Sequence, residues 1–106
     1  MKRLALSLFL STALVAFAQD KEFAITIKDH RFTPDRVEIP AGQKVKFVVD
    51  NQDATPEEFE SNSMKIEKVI PGKSKATIFV GPLKAGEYKF VGEFNEKTAK
   101  GVVVAK

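Results

Sequence analysis

The chain has 106 residues and a formal net charge of +3 at pH 7. Lysines and carboxylates are interspersed along it, which excludes the concentrated basic surface of a nucleic-acid-binding protein. Since the sequence contains no cysteine, a disulfide framework and a thiolate metal ligand are also excluded, and a domain of this size must rely on its apolar core.

Residues 1–18 have the pattern of a secretory signal peptide. Lys2 and Arg3 precede an apolar run that begins at Leu4, and Ala16-Phe17-Ala18 supplies a small-x-small cleavage step. The run is too short to span a membrane; the alternative is an uncleaved N-terminal anchor. We therefore expect a mature domain of residues 19–106 that is exported to the periplasm and is not embedded in the membrane. Its net charge falls from +3 to +1, because Lys2 and Arg3 leave with the signal.

The mature chain is predicted to be a single all-β domain. Alternation of apolar and polar residues predicts strands at 23–28, 37–39, 44–50 and 76–80, followed by two C-terminal strands around 86–94 and 101–104. Residues 57–60 and 66–70 are less regular and fit either strand or extended coil, and a helical turn is considered only in 64–69. Turns rich in Pro and Gly separate these segments. About seven short strands at this spacing predict a β-sandwich.

Several short motifs, taken as a set, resemble the EfeO-type cupredoxin-like domain. They include Phe32-Thr33-Pro34, Ile39-Pro40-Ala41-Gly42, Ile70-Pro71-Gly72 and Gly92-Glu93-Phe94, and the resemblance extends over essentially all of residues 19–106. It implies a periplasmic Greek-key β-sandwich with a cupredoxin-like fold. It also implies binding of copper or iron in the neighbourhood of a high-affinity iron permease.

The chain departs from this family's blue-copper members at each ligand position that the resemblance implies. The first histidine ligand would follow the loop after the central strand, where this chain has Thr55-Pro56-Glu57-Glu58. The cysteine position falls at about Gly92 and the second histidine at about Asn95. A blue-copper centre needs a thiolate and two imidazoles, whereas this chain has no cysteine and a single histidine, His30. Electron transfer through a cysteine-bound copper is therefore not expected.

Two carboxylates are the first candidates for a different metal site. If residues 57–60 are extended, Glu58 and Glu60 project to one side while Glu57 and Phe59 project to the other. Oxygen ligands suit ferric iron and tolerate Cu(II). The alternative is a solvated acidic edge that is paired with lysines, for which the candidates are Lys44, Lys46 and Lys65.

Three more residues complete the predicted metal ligands. His30 is the sole imidazole and lies in a predicted loop, where the alternative is simple exposure. The thioether of Met64 suits Cu(I), although methionine also fills gaps in cores. Glu67 is placed to join Glu58 and Glu60. We expect Glu93 and Glu96, which flank Asn95, to be polar rim residues; the alternative is that they inherit metal contact from the position of the second histidine ligand.

The function that these residues favour is metal binding, with a copper or iron ion as the ligand, in the service of metal uptake. Nucleophilic catalysis is not supported, because there is no cysteine, no serine paired with a base and no phosphate-binding loop, so no catalytic residues are assigned. Two alternatives stay open. One is a ferroxidase-like partner of an iron permease, and the other is a metal-free domain that docks on a membrane permease or another periplasmic protein.

Overall fold

The computed structural model describes residues 20–106, so the predicted signal peptide and Gln19 lie outside the described residues. Within the described range the chain forms nine strands and a 3-10 helix, in this order: β1 (Lys21–Lys28), β2 (Arg31–Thr33), β3 (Arg36–Ile39), β4 (Val45–Asn51), β5 (Glu57–Ser61), β6 (Ile66–Ile70), β7 (Ser74–Val80), β8 (Gly86–Gly92), the 3-10 helix (Glu93–Asn95) and β9 (Lys100–Ala105). In residues 20–106 no helix is both long and apolar enough to cross a membrane.

The strands form two sheets. The four-stranded sheet has the order β2-β1-β4-β7, and the five-stranded sheet has the order β3-β9-β8-β5-β6. β1 runs parallel to β4 and β3 runs parallel to β9, while the other paired strands are antiparallel. This architecture confirms the predicted all-β sandwich, and it places β5 between β8 and β6 in the five-stranded sheet.

The core between the sheets is built from alternating strand residues. In β4 every second residue is buried, which is the pattern that its sequence predicts. Four phenylalanines form the centre: Phe59 stacks on Phe90 with ring centroids 4.7 Å apart, and Phe32 meets the Phe90 ring edge-on at 5.0 Å. Phe47 contacts Phe59 at 6.4 Å. Because Phe59 points inward from the middle of β5, its neighbours Glu58 and Glu60 point away from the core.

Two details of the predicted secondary structure differ from the structure. There are nine strands rather than about seven, because Arg31–Thr33 forms a short strand inside the predicted break and both uncertain segments are strands. The helical turn considered in 64–69 is wrong, since Ile66–Ile70 pairs along its length with β5. Backbone pairing with a neighbouring strand decides the conformation there, and sequence propensity does not report it. The helical turn instead lies at Glu93–Asn95.

Candidate metal centre

The two carboxylates predicted to share a face of β5 lie on its outer side. Burial alternates along the strand: Glu57, Phe59 and Ser61 are buried, while Glu58 and Glu60 are half-buried. The loop that leads into β5 is fixed by Asn51, a buried side chain whose Nδ2 donates hydrogen bonds to Thr55 O in this loop and to Ile70 O and Pro71 O at the end of β6. The position of the two carboxylates is therefore set by the core on one side of the strand and by an ordered loop before it.

A third carboxylate joins them from the 3-10 helix that follows β8. Carboxylate oxygens of Glu58, Glu60 and Glu93 all lie within 4.8 Å of one another, and we call these three residues the acidic cluster. Glu93 reaches this place because β5 pairs with β8, so that Phe59 stands opposite Gly92, the residue before Glu93. The three side chains come from a strand and the helical turn beside it, which is an arrangement of oxygen donors that suits a hard metal ion.

The electrostatics of the acidic cluster reflect the crowding of like charges. A hydrogen bond with Glu93 raises the pKa of Glu58 to about 7, and partial desolvation and the charges of Glu93, Glu67 and Glu60 act in the same direction. The pKa of Glu60 is raised by desolvation and then by its hydrogen bond with Glu93. Near neutral pH the cluster therefore shares protons or attracts a cation to offset its charge.

Lysine side chains do not supply that cation. Lys44 pairs with Asp20 at 3.4 Å and Lys46 pairs with Glu22 at 3.4 Å, so these two lysines are engaged elsewhere. Among residues 20–106, the ion pairs do not include any member of the acidic cluster. Lys65 forms none of these ion pairs, so the alternative of an acidic edge neutralised by Lys44, Lys46 or Lys65 is not what the structure shows for residues 20–106.

His30 lies near the acidic cluster but outside it. Its ring is 47% exposed, with Nδ1 3.5 Å from Asp53 Oδ2, and its backbone N–H donates to the same oxygen at 3.0 Å. The His30 carbonyl accepts a hydrogen bond from Thr98 Oγ1 at 2.6 Å, and His30 lines a shallow depression together with Glu93. The structure thus brings His30 to the same end of the sandwich as Glu93, although the close carboxylate group does not include its imidazole.

The other two predicted ligands lie in different surroundings. Met64 is half-buried and packs against the hydrophobic core, and its N–H donates to Ser61 Oγ at 3.2 Å. Glu67 stands directly opposite Glu60 across the β5–β6 pair, where side chains of opposed residues share a face. Glu67 therefore adds negative charge beside the acidic cluster, while Met64 contributes to packing.

Glu93 is the member of the acidic cluster that the sequence analysis did not select. The sequence favours a rim position for Glu93, with metal contact inherited from the second histidine position as the alternative. The available signal is topological: Gly92 stands opposite the inward-facing Phe59, so alternation places the next residue, Glu93, at the outer face of β5. That signal depends on knowing the β5–β8 pairing.

Glu57, Gly92 and Asn95 lie at or beside the three positions where the resemblance implies the ligands of a blue-copper site, and they contact one another in the fold. The buried Glu57 carboxylate accepts a hydrogen bond from Asn95 Nδ2 at 2.7 Å and another from Phe94 N at 2.9 Å. A Cβ placed on Gly92 would lie 2.6 Å from Glu57 Cδ and 2.7 Å from Ala99 Cβ. The carboxylate of Glu57 therefore fills the space beside Gly92 and is bound by the amide of Asn95.

Residues 20–106 form two mixed sheets packed around a phenylalanine core, and this architecture is that of a β-sandwich protein. Residues 3–105 match the family model described as "Cupredoxin-like domain". The chain therefore belongs to the family of cupredoxin-like domains.

Relatives and similar structures agree with this family. An uncharacterized protein of Rickettsia prowazekii (strain Madrid E) is 41% identical over 83 residues, which is 78% of this chain and 66% of the length of that relative. Auracyanin A, a blue copper protein from Chloroflexus aurantiacus, superposes with a TM-score of 0.71 at 13% identity, over 83% of this chain and all of that one. The metal-binding domain of a Cu(I)-exporting P-type ATPase of Streptococcus pneumoniae D39, with Cu(I), gives 0.68 at 15% identity, over 80% and 84%. At these identities the structural matches establish the shared fold.

A blue-copper centre does not fit the residues of this chain. No cysteine is available and His30 is the single imidazole, so the required thiolate and pair of imidazoles cannot be assembled. The space next to Gly92 is filled by a hydrogen-bonded carboxylate instead. A metal ion bound by this protein must use other donors, and within residues 20–106 the acidic cluster brings three carboxylates together.

Proposed function

We propose that this protein is a periplasmic, EfeO-type cupredoxin-like protein that binds a copper or iron ion and serves metal uptake. The observation that carries the proposal is the acidic cluster, in which oxygens of Glu58, Glu60 and Glu93 converge within 4.8 Å without a basic partner in the described residues. Its periplasmic location is supported by the signal peptide predicted for residues 1–18, and its subfamily by the motifs quoted above.

The chemistry of the acidic cluster favours a hard or borderline ion. Ferric iron prefers carboxylate oxygens as ligands, and Cu(II) accepts them. A bound cation would also offset the repulsion among the three carboxylates, which in the metal-free protein is reduced when they hold protons. Glu58, Glu60 and Glu93 would hold the ion, and Glu67 would add to the negative potential around it. Copper receives additional support from the structural neighbours, since one is a blue copper protein and another carries Cu(I).

The proposal is tested by metal analysis of exported protein followed by titration with Cu(II), Cu(I) and Fe(III). We expect the double variant Glu58→Gln/Glu60→Gln to bind Cu(II) or Fe(III) at least about tenfold more weakly than the unchanged protein, because two of three donors become neutral amides. A matched control is Glu22→Gln/Glu38→Gln, which removes the same charge from carboxylates that pair with basic residues elsewhere.

The affinities of the two double variants distinguish a specific metal site from attraction of the ion by net charge. Equal weakening in both double variants would show that net charge alone attracts the ion, and unchanged affinity in Glu58→Gln/Glu60→Gln would overturn the assignment. His30→Ala tests the predicted imidazole ligand in the same titration: a further loss of affinity is expected if the ring contacts the ion. The oxygen-donor site itself does not require that loss.

A metal-free docking domain is the second candidate, and an exposed aromatic favours it. Phe94 lies in the 3-10 helix, next to Glu93, and is 51% exposed. Aromatic residues are enriched at the centres of protein interfaces, and the flanking carboxylates would suit a basic partner such as the periplasmic loops of a permease. If metal analysis finds no bound ion and no titrated ion binds, Phe94→Ala should be tested for loss of binding to the permease.

A further inference from the structure

Glu57 is a buried carboxylate that the proposed metal site does not use. Its side chain is 2% exposed, yet no basic side chain pairs with it among the ion pairs of residues 20–106. Three hydrogen-bond donors satisfy it instead. Oε1 accepts from the backbone N–H groups of Glu58 and Phe94, each at 2.9 Å, and Oε2 accepts from Asn95 Nδ2 at 2.7 Å.

We propose that Glu57 is a positioning residue for the acidic cluster. It holds the 3-10 helix Glu93–Asn95 against β5, and in doing so it sets the Glu93 carboxylate beside Glu58 and Glu60. The inference rests on the proposed function, because it assigns a role in building the same metal site. Glu57 does not itself contact the ion in this proposal.

The first support is that one oxygen atom joins the two segments that carry the acidic cluster. Oε1 of Glu57 accepts from the N–H of Glu58 and from the N–H of Phe94, the residue that follows Glu93. The backbones that carry Glu58 and Glu93 are therefore tied to the same atom. Both hydrogen bonds are 2.9 Å long, so this link is well suited to fix the distance between the two segments that carry the ligands.

The second support is that the 3-10 helix cannot hold this position by itself. It has three residues, and Gly92 at its N-cap offers no side chain to accept from its free N–H groups. Its other hydrogen bonds close the same loop: Asn95 O accepts from Ala99 N at 2.8 Å, and Gly92 N donates to Ala99 O at 2.9 Å. Within residues 20–106, the side-chain hydrogen bonds from this helix to β5 all end on Glu57.

The third support is the room made for Glu57 at Gly92. A side chain at this position would collide with Glu57 Cδ and Oε2, at 2.6 and 2.8 Å from the added Cβ. Since the backbone of Gly92 has φ −89° and ψ 106°, which any residue adopts, its glycine is not required by conformation. The missing side chain instead allows the Glu57 carboxylate to reach the helix.

The test compares Glu57→Ala with the isosteric Glu57→Gln, using Cu(II) alone as the probe. Glu57→Ala removes both acceptor oxygens and with them all three hydrogen bonds, whereas Glu57→Gln keeps an acceptor for the backbone N–H groups, and the Asn95 amide can rotate to receive its new donor. We expect Glu57→Ala to weaken Cu(II) binding roughly tenfold, as replacement of residues that orient metal ligands does, and Glu57→Gln to retain most of the affinity. Similar large losses in both variants would overturn the proposal, since they would indicate a direct charge effect.

A double-mutant cycle with Glu93→Gln distinguishes positioning from general destabilisation. If Glu57 acts through Glu93, then Glu57→Ala should weaken Cu(II) binding much less in the Glu93→Gln background than in the unchanged protein. Additive losses would overturn the proposal. Should Glu57→Ala fail to fold, Asn95→Ala, which removes a single hydrogen bond to Glu57, replaces it in the same cycle.

Hydrogen exchange of the Phe94 amide gives a readout that does not depend on metal. We expect this amide to be protected in the metal-free protein and in Glu57→Gln, and to lose protection in folded Glu57→Ala. An unprotected Phe94 amide in the unchanged protein would overturn the positioning role even if Cu(II) binds to the acidic cluster. Conversely, a protected amide together with no effect of Glu93→Gln on Cu(II) binding would refute the proposed metal site and, with it, the role of Glu57 in positioning a ligand.

Discussion

Substitution of Gly92 by alanine should destabilise the protein because the space beside it is already filled. The added Cβ would lie 2.6 Å from Glu57 Cδ and 2.7 Å from Ala99 Cβ, and the Glu57 carboxylate is restrained by three hydrogen bonds. Overpacking of this kind destabilises by about 1–3 kcal/mol, while reduced freedom of the unfolded chain returns about 0.4–1 kcal/mol. We expect a net loss of about 1.3 kcal/mol, which lowers Tm by roughly 8 °C for a domain of this size.

Urea unfolding of Gly92→Ala, Glu57→Ala and the double variant measures this effect. The double variant should lose less stability than the sum of the single losses, by at least about 0.5 kcal/mol, because removing the Glu57 side chain clears part of the collision. Gly42→Ala is a useful contrast: its Cβ meets no atom within 4 Å and its penalty comes from a φ of +76°, so it should show no coupling to Glu57. A Gly92→Ala protein as stable as the unchanged one would refute the packing described for Glu57.

Three further predictions concern the colour of the copper-loaded protein, the pH dependence of stability and the cleavage of the signal peptide. Protein loaded with Cu(II) should lack the intense blue absorption of copper–thiolate bonding, since the chain has no cysteine, and a strong blue band in monomeric protein would contradict this. Because folding raises the pKa of Glu58 from 4.5 to about 7, and that of Glu60 in the same direction, their contribution to stability is fully present below pH 4.5 and is lost as the pH rises through about 7. Urea midpoints of metal-free protein across this range should show that loss relative to Glu58→Gln/Glu60→Gln, and a contribution that grows with pH would refute it. Exported protein should begin at Gln19, and an intact mass that retains residues 1–18 would show that the signal peptide is not cleaved.

The strands and the shared face of Glu58 and Glu60 were accessible from the sequence because they depend on local alternation. In β4 the alternation that begins at Val45 and Lys46 matches a period of two in burial, and once β5 is extended the same period puts Glu58 and Glu60 on one side. The same rule places Glu57 on the inner side with Phe59. It does not report that Glu57 is buried and fully hydrogen-bonded, because a glutamate at an inward position is indistinguishable in sequence from one at a strand end that reaches solvent.

The parts of the site that sequence reasoning missed depend on pairing between distant strands. Glu93 joins Glu58 and Glu60 through the β5–β8 register, and the helical turn that carries it donates two hydrogen bonds to the side chain of Glu57. Likewise, the conformation of Ile66–Ile70 is set by its pairing with β5, so the helical turn considered in 64–69 does not form. Such contacts between residues far apart in the chain are not encoded in any short window of sequence.

Line broadening of amide NMR signals by paramagnetic Cu(II) tests most directly whether the acidic cluster binds a metal ion. The ion broadens the signals nearest to it, so we expect the amides of Glu58, Glu60 and Glu93 to disappear first, at low ratios of Cu(II) to protein. The amides of Arg36–Ile39, at the far edge of the same sheet, should still be sharp at that ratio. Broadening centred on His30 and Asp53, with the amides of the acidic cluster left sharp, would contradict the account.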